Sequence, residues 1–233
     1  MNKKSLVKLA KYHGTDKWNG HWYADHYEHH FSHLRFKVIN VLEIGIGGYE
    51  NPESGGDSLR MWKDFFPHAT IYGLDIFDKQ SHAEKRIKIY QGDQSDPDIL
   101  ERISNDANGL DIVVDDGSHM NNDVIASFQK LFPMLNEGGI YVIEDLQTAY
   151  WAGFGGDAEN TSMTMLKRMV DGLNHEEFDA PGYIPSYCDL HIKSLHFYHN
   201  MAFIYKGDNN EGSNLLTNNI FNPPTTQESA EDV

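Results

Sequence analysis

The segment that most constrains the fold is Asp-Ile-Val-Val-Asp-Asp-Gly-Ser-His, at residues 111–119. Its apolar residues run unbroken between an Asn-Gly turn and a polar cluster, which predicts a short buried strand over 111–114. Asp115, Asp116 and His119 follow directly after that strand. In open α/β sheets, ligands bind outside the carboxyl ends of the strands. The segment therefore predicts a binding site at one edge of an α/β sheet.

A second predicted strand, residues 139–143, also ends in acids, Glu144 and Asp145. Three or four carboxylates and one imidazole would then share the same sheet edge, where the carboxylates repel one another without a cation. Oxygen ligands of this kind suit magnesium, calcium or manganese. Histidine titrates near neutral pH, so His119 is a candidate general base. The alternative is that these residues are helix caps and solvated strand ends.

The first predicted strand, residues 38–44, runs into a glycine turn at residues 45–48. Glycines at this point allow a tight turn and close approach of the backbone to a ligand. The full dinucleotide fingerprint is absent, because Glu50 occupies its last glycine position. Glu43 gives the turn the pattern Glu-x-Gly-x-Gly, which is more specific than the glycines alone.

The next two predicted strands, residues 70–74 and 86–90, also end in polar side chains. Asp75 follows the first of them, about 30 residues after the glycine turn, and an acid there suits the hydroxyls of a ribose. Asp93 and Gln94 follow the second and suit the edge of an adenine. Asp93 is also consistent with a solvated turn before the next helix. Together with the glycine turn, these residues predict a nucleoside ligand.

Strands alternate with helices predicted over 58–66, 98–103, 122–135 and 161–173, which indicates a mostly parallel sheet covered on both faces. Two strands over 189–197 and 201–206, joined by three residues, predict a C-terminal antiparallel hairpin. The expected fold class is α/β. The expected organisation is an N-terminal helical and aromatic segment (1–37), a main domain (38–206) and a polar tail (207–233), partly disordered or docked on a partner subunit.

The N-terminal segment is dense in histidine, tryptophan and tyrosine. A zinc site is one interpretation of its histidines, although no cysteine accompanies them and their spacing is irregular. An aromatic lid or collar over the ligand pocket fits the composition better. His26, His29, His30 and His33 also have the spacing of one helix face, which is consistent with plain packing.

The chain has 233 residues and a formal net charge of −16, which argues against broad binding to nucleic acid or anionic membranes. No apolar run approaches the roughly 20 residues of a membrane span, and no signal-peptide core follows the basic N-terminus. Cys188 is the single cysteine, which fits a cytoplasmic location. We interpret Cys188 as a small packing residue, since nothing nearby predicts a lowered thiol pKa.

Several motifs in register resemble the metal-dependent sugar O-methyltransferases of macrolide biosynthesis, the macrocin and mycinamicin O-methyltransferase family, with cephalosporin hydroxylase-like proteins as more distant kin. They are residues 43–49, 55–62, 72–79, 92–96, 115–119 and 141–145, within a similarity over about 12–206. The resemblance implies a class I methyltransferase fold, Rossmann-like, with a seven-stranded mostly parallel sheet. It also implies S-adenosylmethionine and Mg²⁺ as cofactors, a glycoside or sugar acceptor, and a homo-oligomer.

The resemblance further implies roles for individual residues. Mg²⁺ would be held by Asp116, Glu144 and Asp145, with His119 as the base that deprotonates the acceptor. The residues implied to contact S-adenosylmethionine are Glu43, Gly45, Gly47, Tyr49, Ser58, Asp75, Asp93, Gln94 and Asp115.

Three alternatives remain open from the sequence. A nicotinamide-dependent oxidoreductase is disfavoured by the incomplete glycine fingerprint and by the lack of a Tyr-x-x-x-Lys pair. A catechol or phenol methyltransferase would use the same fold and metal. A non-catalytic protein that binds the cofactor or the metal is suggested by the acidic surface and polar tail.

Overall fold

The computed structural model describes residues 5–221 and contains a single large sheet with helices on both faces. The helices are α1 (Leu6–His13), α2 (Ala24–Phe31), α3 (Asp57–Phe65), α4 (Pro97–Ala107), α5 (Asn121–Met134), α6 (Ser162–Gly172) and α7 (Tyr187–His191). The strands are β1 (Asn40–Ile44), β2 (Thr70–Asp75), β3 (Ile87–Gln91), β4 (Leu110–Asp115), β5 (Leu135–Ile143), β6 (Ile192–Tyr198), β7 (Met201–Lys206), β8 (Leu216–Thr217) and β9 (Ile220–Phe221). None of the helices within 5–221 has the length and apolar character that crossing a membrane would require.

The seven-stranded sheet has the order β3-β2-β1-β4-β5-β7-β6. Strands β1 to β5 pair in parallel, and β7 pairs antiparallel with both β5 and β6. The strand order reverses beside β1, between β1 and β4, which is where open α/β sheets form their ligand crevice. The predicted α/β fold with a C-terminal antiparallel hairpin is confirmed.

Alternating side chains of the strands pack into two hydrophobic clusters, one on each face of the sheet. Val41 lies in the cluster beneath α1, α2 and α3, whereas Leu42 lies in the cluster beneath α4, α5 and α6. Tyr27 and Phe31 of α2 are fully buried in the first cluster, together with Trp62 of α3. The N-terminal segment therefore forms part of the main core and does more than cover a pocket.

The C-terminal region differs from the sequence prediction where the first strand of the hairpin begins. A strand was expected from residue 189, but the chain forms α7 over Tyr187–His191, and β6 begins only at Ile192. The reason is a capping box at the start of α7. The Ser186 side chain accepts from the backbone N–H of Asp189, and the Asp189 side chain accepts from the backbone N–H of Ser186.

The first part of the expected tail, residues 207–221, packs on its own chain. The Asn209 side chain donates to the carbonyls of Leu173 and Asp189, at 3.2 and 2.9 Å. The Asn219 side chain donates to two further carbonyls, at 2.8 and 2.9 Å, in the turn that follows α6. Residues 207–221 thus contact the preceding part of the chain, while a tail that is partly disordered or docked on a partner subunit stays a prediction, and residues 222–233 lie outside the described part of the chain.

Candidate active site

A cavity of about 930 Å³ opens at the carboxyl ends of β1, β2 and β4, at the point where the strand order reverses. It brings together most of the residues that the sequence singled out. Those that line it are Gly45, Gly47, Tyr49, Ser58, Asp75, Asp93, Gln94, Asp116, His119 and Asp145.

The glycine turn after β1 forms one wall of this cavity, and Gly45 is required there for two reasons. Its φ of +88° lies in the left-handed region that side chains disfavour. A Cβ on Gly45 would also lie 2.0 Å from the backbone oxygen of Asp116. The turn can therefore approach the end of β4 only because residue 45 has no side chain.

Asp75, at the end of β2, holds this turn in place. Its Oδ2 accepts from the backbone N–H of Ile46 at 2.9 Å, and its Oδ1 accepts from the N–H of Phe77 at 2.9 Å. The carboxylate remains partly exposed on the cavity. Each oxygen can accept a second hydrogen bond, so the contact with a ribose predicted for Asp75 is compatible with its position.

Two of the predicted cofactor residues, Glu43 and Asp115, lie beneath the cavity and do not line it. Asp115 is 1% exposed and accepts from Gln94, Ser127 and Tyr141, at 3.1, 2.6 and 2.9 Å. Burial raises the pKa of the Asp115 carboxyl. The three hydrogen bonds lower this pKa by less, so it stays above its usual value. The other end of the Gln94 amide accepts from the N–H of Ser118 at 2.7 Å.

Glu43 is fully buried, with Ser58 donating to its Oε2 at 2.8 Å. Asp115 and Glu43 therefore stabilise the floor of the cavity from below. Ser58 and Gln94, which bind them, are the groups that reach the cavity itself.

Three side chains at the ends of β4 and β5 form the candidate metal site. Ligand atoms of Asp116, His119 and Asp145 all lie within 4.8 Å of one another. His119 Nε2 is 3.9 Å from Asp116 Oδ1 and 3.7 Å from Asp145 Oδ2. His119 and Asp145 have φ of +57° and +53°, an uncommon backbone conformation that concentrates at functional sites. Two carboxylates and an imidazole are suitable donors for a divalent cation.

Glu144, the third predicted metal ligand, approaches this group from the buried side. It is 3% exposed, and its Oε1 is occupied by the ammonium of Lys17 at 2.7 Å and by the hydroxyl of Tyr27. Burial raises the pKa of Glu144 well above its usual range, and Asp116 raises it further. Lys17 and Tyr27 lower this pKa but do not offset the effect of burial.

Lys17 is a residue of the site that the sequence did not predict. Its side chain is 1% exposed, and its ammonium lies 3.2 Å from Glu43, 2.9 Å from Asp116 and 2.7 Å from Glu144. Burial lowers the pKa of Lys17, but the three carboxylates more than offset this and raise it well above its usual value. The only signal in the sequence was indirect, namely an excess of acids at one sheet edge that needs a buried counter-charge.

The histidine-rich segment does not assemble into a second metal site. His30 of α2 is buried, and its two ring nitrogens bond the hydroxyls of Tyr205 and Tyr198, at 2.7 and 2.9 Å. Across residues 5–221, the only group of three or more suitable side chains is Asp116, His119 and Asp145. Cys188 is half-buried, and burial raises the pKa of its thiol to about 11, which makes it a poor nucleophile.

The sheet order, the glycine turn after β1 and the acids at the strand ends define a class I S-adenosylmethionine-dependent methyltransferase fold. No protein-family model matches the chain. The predicted resemblance to the macrocin and mycinamicin O-methyltransferases is confirmed by comparison with individual proteins, to which the chain is similar over about nine tenths of its own length.

Two of these relatives are mycinamicin VI 2''-O-methyltransferase of Micromonospora griseorubida and demethylmacrocin O-methyltransferase of Streptomyces fradiae. The first is 49% identical over 217 residues, 90% of this chain and 54% of the relative. The second is 50% identical over 217 residues, 90% of this chain and 55% of the relative. The chain therefore spans about half the length of each.

A similar solved structure is the MycE methyltransferase of the mycinamycin biosynthetic pathway, in complex with Mg, S-adenosylhomocysteine (SAH) and mycinamycin VI. Its TM-score with this chain is 0.86 at 48% sequence identity, covering 91% of this chain and 55% of that one. The likeness thus covers most of this chain but only about half of the solved enzyme.

Proposed function

We propose that this chain catalyses the transfer of a methyl group from S-adenosylmethionine to a sugar hydroxyl of a glycosylated natural product, with Mg²⁺ as the metal cofactor. The observation that carries the proposal is the convergence of Asp116, His119 and Asp145 on the cavity that the glycine turn also lines. The relatives support it, since they are sugar O-methyltransferases, and MycE holds Mg, SAH and mycinamycin VI.

The cofactor would occupy the side of the cavity formed by β1, β2 and β3. Gly45 and Gly47 allow the backbone to approach its charged end, and Asp75 is available to its ribose. Asp93 lines the cavity beyond β3 and suits the base. The volume of about 930 Å³ is large enough for this nucleoside and for the sugar of an acceptor.

The metal would be held by Asp116 and Asp145, with Glu144 adding a carboxylate from the buried side. Oxygen donors of this kind match the preference of Mg²⁺. Bound Mg²⁺ would orient the acceptor and make its hydroxyl proton easier to remove.

His119 is placed to act as the general base. Its side chain is 22% exposed and faces the cavity, so a hydroxyl of the acceptor can reach its Nε2. His119 takes the hydroxyl proton while the oxygen forms a bond to the methyl carbon. The sulfur–methyl bond breaks at the same time, and S-adenosylhomocysteine leaves with the electron pair on sulfur. Holding the reacting atoms close and in line supplies much of the rate.

Aromatic side chains around the cavity suit an acceptor with apolar parts beside its sugar. Tyr49 and Phe154 line the cavity, and Tyr150 and Trp151 are exposed in the neighbouring loop.

Assembly into a homo-oligomer and a cytoplasmic location, both expected from the sequence, remain proposals. The net charge of −16 is consistent with a small-molecule acceptor in preference to nucleic acid.

The test is methyl transfer by the purified chain on three panels of acceptors: macrolide glycosides, free sugars and catechols. We expect SAH formation with glycosides, abolished by EDTA and restored by Mg²⁺.

His119→Asn should lower kcat by about 100-fold to 10,000-fold, because asparagine tolerates the backbone conformation at residue 119 but supplies no base. His68→Asn, on an exposed turn, is the control. Preference for catechols would reject the sugar assignment, and turnover unchanged by EDTA and by His119→Asn would reject the assigned roles.

A further inference from the structure

The N-terminal segment donates a hydrogen bond to each of the three acids proposed to hold the metal. Lys17 donates to Asp116 and Glu144, and the hydroxyl of Tyr27 also donates to Glu144. The hydroxyl of Tyr23 donates to Asp145 at 2.7 Å. All three donors precede β1, whereas the acids follow β4 and β5, so the contacts span 99 to 127 positions of the chain.

Among residues 5–221, the donors occupy one particular oxygen of each aspartate and leave the other without a hydrogen-bond donor. Lys17 bonds Oδ2 of Asp116, and Oδ1 of that residue faces His119. Tyr23 bonds Oδ1 of Asp145, and Oδ2 faces His119. The two free oxygens are therefore turned towards the same point beside the imidazole.

The donors are themselves fixed by the core. Lys17, Tyr23 and Tyr27 are at most 3% exposed, so none of them is accessible to an acceptor in the cavity. The centroid of the Tyr27 ring lies 4.8 Å from that of Trp62 and 5.5 Å from that of Phe203. Any role of these residues in the reaction must act through the carboxylates that they bond.

We infer that Lys17, Tyr23 and Tyr27 are positioning residues for the divalent cation, an inference that rests on the metal site of the proposed function. Lys17 and Tyr23 each hold one oxygen of an aspartate and so aim the other at the cation before it binds, while Tyr27 holds Oε1 of Glu144. Partners that orient metal ligands in this way typically change metal affinity by about 10-fold to 100-fold when they are removed. The N-terminal segment is thus part of the metal site without contacting the metal.

The test is a calorimetric titration of the purified chain with MgCl₂ in the absence of S-adenosylmethionine. Tyr23→Phe removes only the hydroxyl that binds Asp145, and we expect it to raise the Kd for Mg²⁺ about 10-fold or more. Tyr90→Phe is the matched control, because Tyr90 donates to Asp106 at 2.8 Å in another part of the chain. The rate of methyl transfer by Tyr23→Phe should recover when the Mg²⁺ concentration is raised. A general structural defect would not be corrected by added Mg²⁺.

Tyr27→Phe provides a second variant should Tyr23→Phe fail to fold, and it should weaken Mg²⁺ binding in the same way. Binding of Mg²⁺ as tightly by both folded variants as by the wild type would overturn this inference alone. A wild-type chain that binds no Mg²⁺ would overturn the metal assignment of the proposed function, and this inference with it.

Discussion

Lys17 and Glu144 form a buried ion pair with 2.7 Å between Nζ and Oε1, although they are 127 positions apart in the chain. The pair joins the segment before the sheet to the end of β5, at the centre of the acidic cluster. Removing one partner of a buried ion pair leaves the other without compensation, which costs much more than losing an exposed pair. Lys17 is therefore expected to matter for folding as well as for the proposed metal site.

Lys17→Met should lower the free energy of unfolding by about 3–5 kcal/mol, because methionine keeps the apolar part of the side chain and removes its charge. Urea denaturation in metal-free buffer measures the effect. Lys8→Met is the control, since Lys8 is an exposed residue of α1. Equal stability of the two variants would show that the carboxylates do not depend on Lys17.

The sequence was sufficient to predict strands β1 to β5 and the edge where the candidate site forms. Runs of apolar residues bounded by turns marked β1, β2 and β4, and parallel strands necessarily bring their carboxyl ends together. It did not show which of two adjacent acids faces the cavity. Neighbouring residues of a strand point to opposite faces, so Asp115 turns to Ser127 and Tyr141 while Asp116 reaches the cavity.

The contacts of Lys17 and Tyr23 were not predictable in the same way. They depend on how the segment before β1 folds over the finished sheet, which no local pattern encodes. The case of α7 is different, because its capping box is a local Ser-x-x-Asp pattern at residues 186–189 that was outweighed by a stretch resembling a strand.

Asp75→Asn should weaken cofactor binding by about 10-fold to 100-fold, the usual effect of losing a hydrogen bond to a charged group. Both oxygens of Asp75 accept backbone N–H groups, so an amide nitrogen at either place would face another donor. Calorimetric titration with S-adenosylhomocysteine measures the change. Asp78→Asn is matched to it, since Asp78 accepts from the N–H of Gln80 at 2.9 Å outside the cavity. Equal weakening by both substitutions would argue against a specific role for Asp75.

Stability should fall in mild acid because of His30. Burial, followed by the nearby His196 and His29, lowers the pKa of His30 from 6.5 to about 4. The unfolded chain binds a proton at this residue below about pH 6.5, whereas the folded chain resists it until about pH 4. The contribution of neutral His30 is therefore present above pH 6.5 and is lost progressively as the pH falls towards 4.

Urea unfolding at pH 7 and pH 5 tests this contribution. The wild type should lose more stability between the two pH values than His30→Gln, whose amide can still bond Tyr198 or Tyr205 but does not titrate. His68→Gln should retain the wild-type pH dependence, since His68 is exposed. The same pH dependence in the wild type and His30→Gln would contradict the prediction.

Gly45→Ala should be much more destabilising than Gly138→Ala, although both glycines have positive φ. The left-handed conformation costs a residue with a Cβ about 1–2 kcal/mol at either position. Gly138 has φ of +75°, and a Cβ added there would meet no atom within 4 Å, so its substitution carries that cost alone. A Cβ on Gly45 would instead meet the Asp116 oxygen at 2.0 Å and push the glycine turn away from β4.

Thermal and urea unfolding of the two variants measure this difference, which we expect to be at least about 2 kcal/mol. Because the clash acts on the backbone of Asp116, Gly45→Ala should also weaken binding of Mg²⁺ and of S-adenosylhomocysteine in calorimetric titrations. Gly138→Ala should leave both affinities unchanged, since Gly138 lies at the far end of β5 from the cavity. Equal losses of stability in the two variants would show that the turn can move away from β4 at little cost.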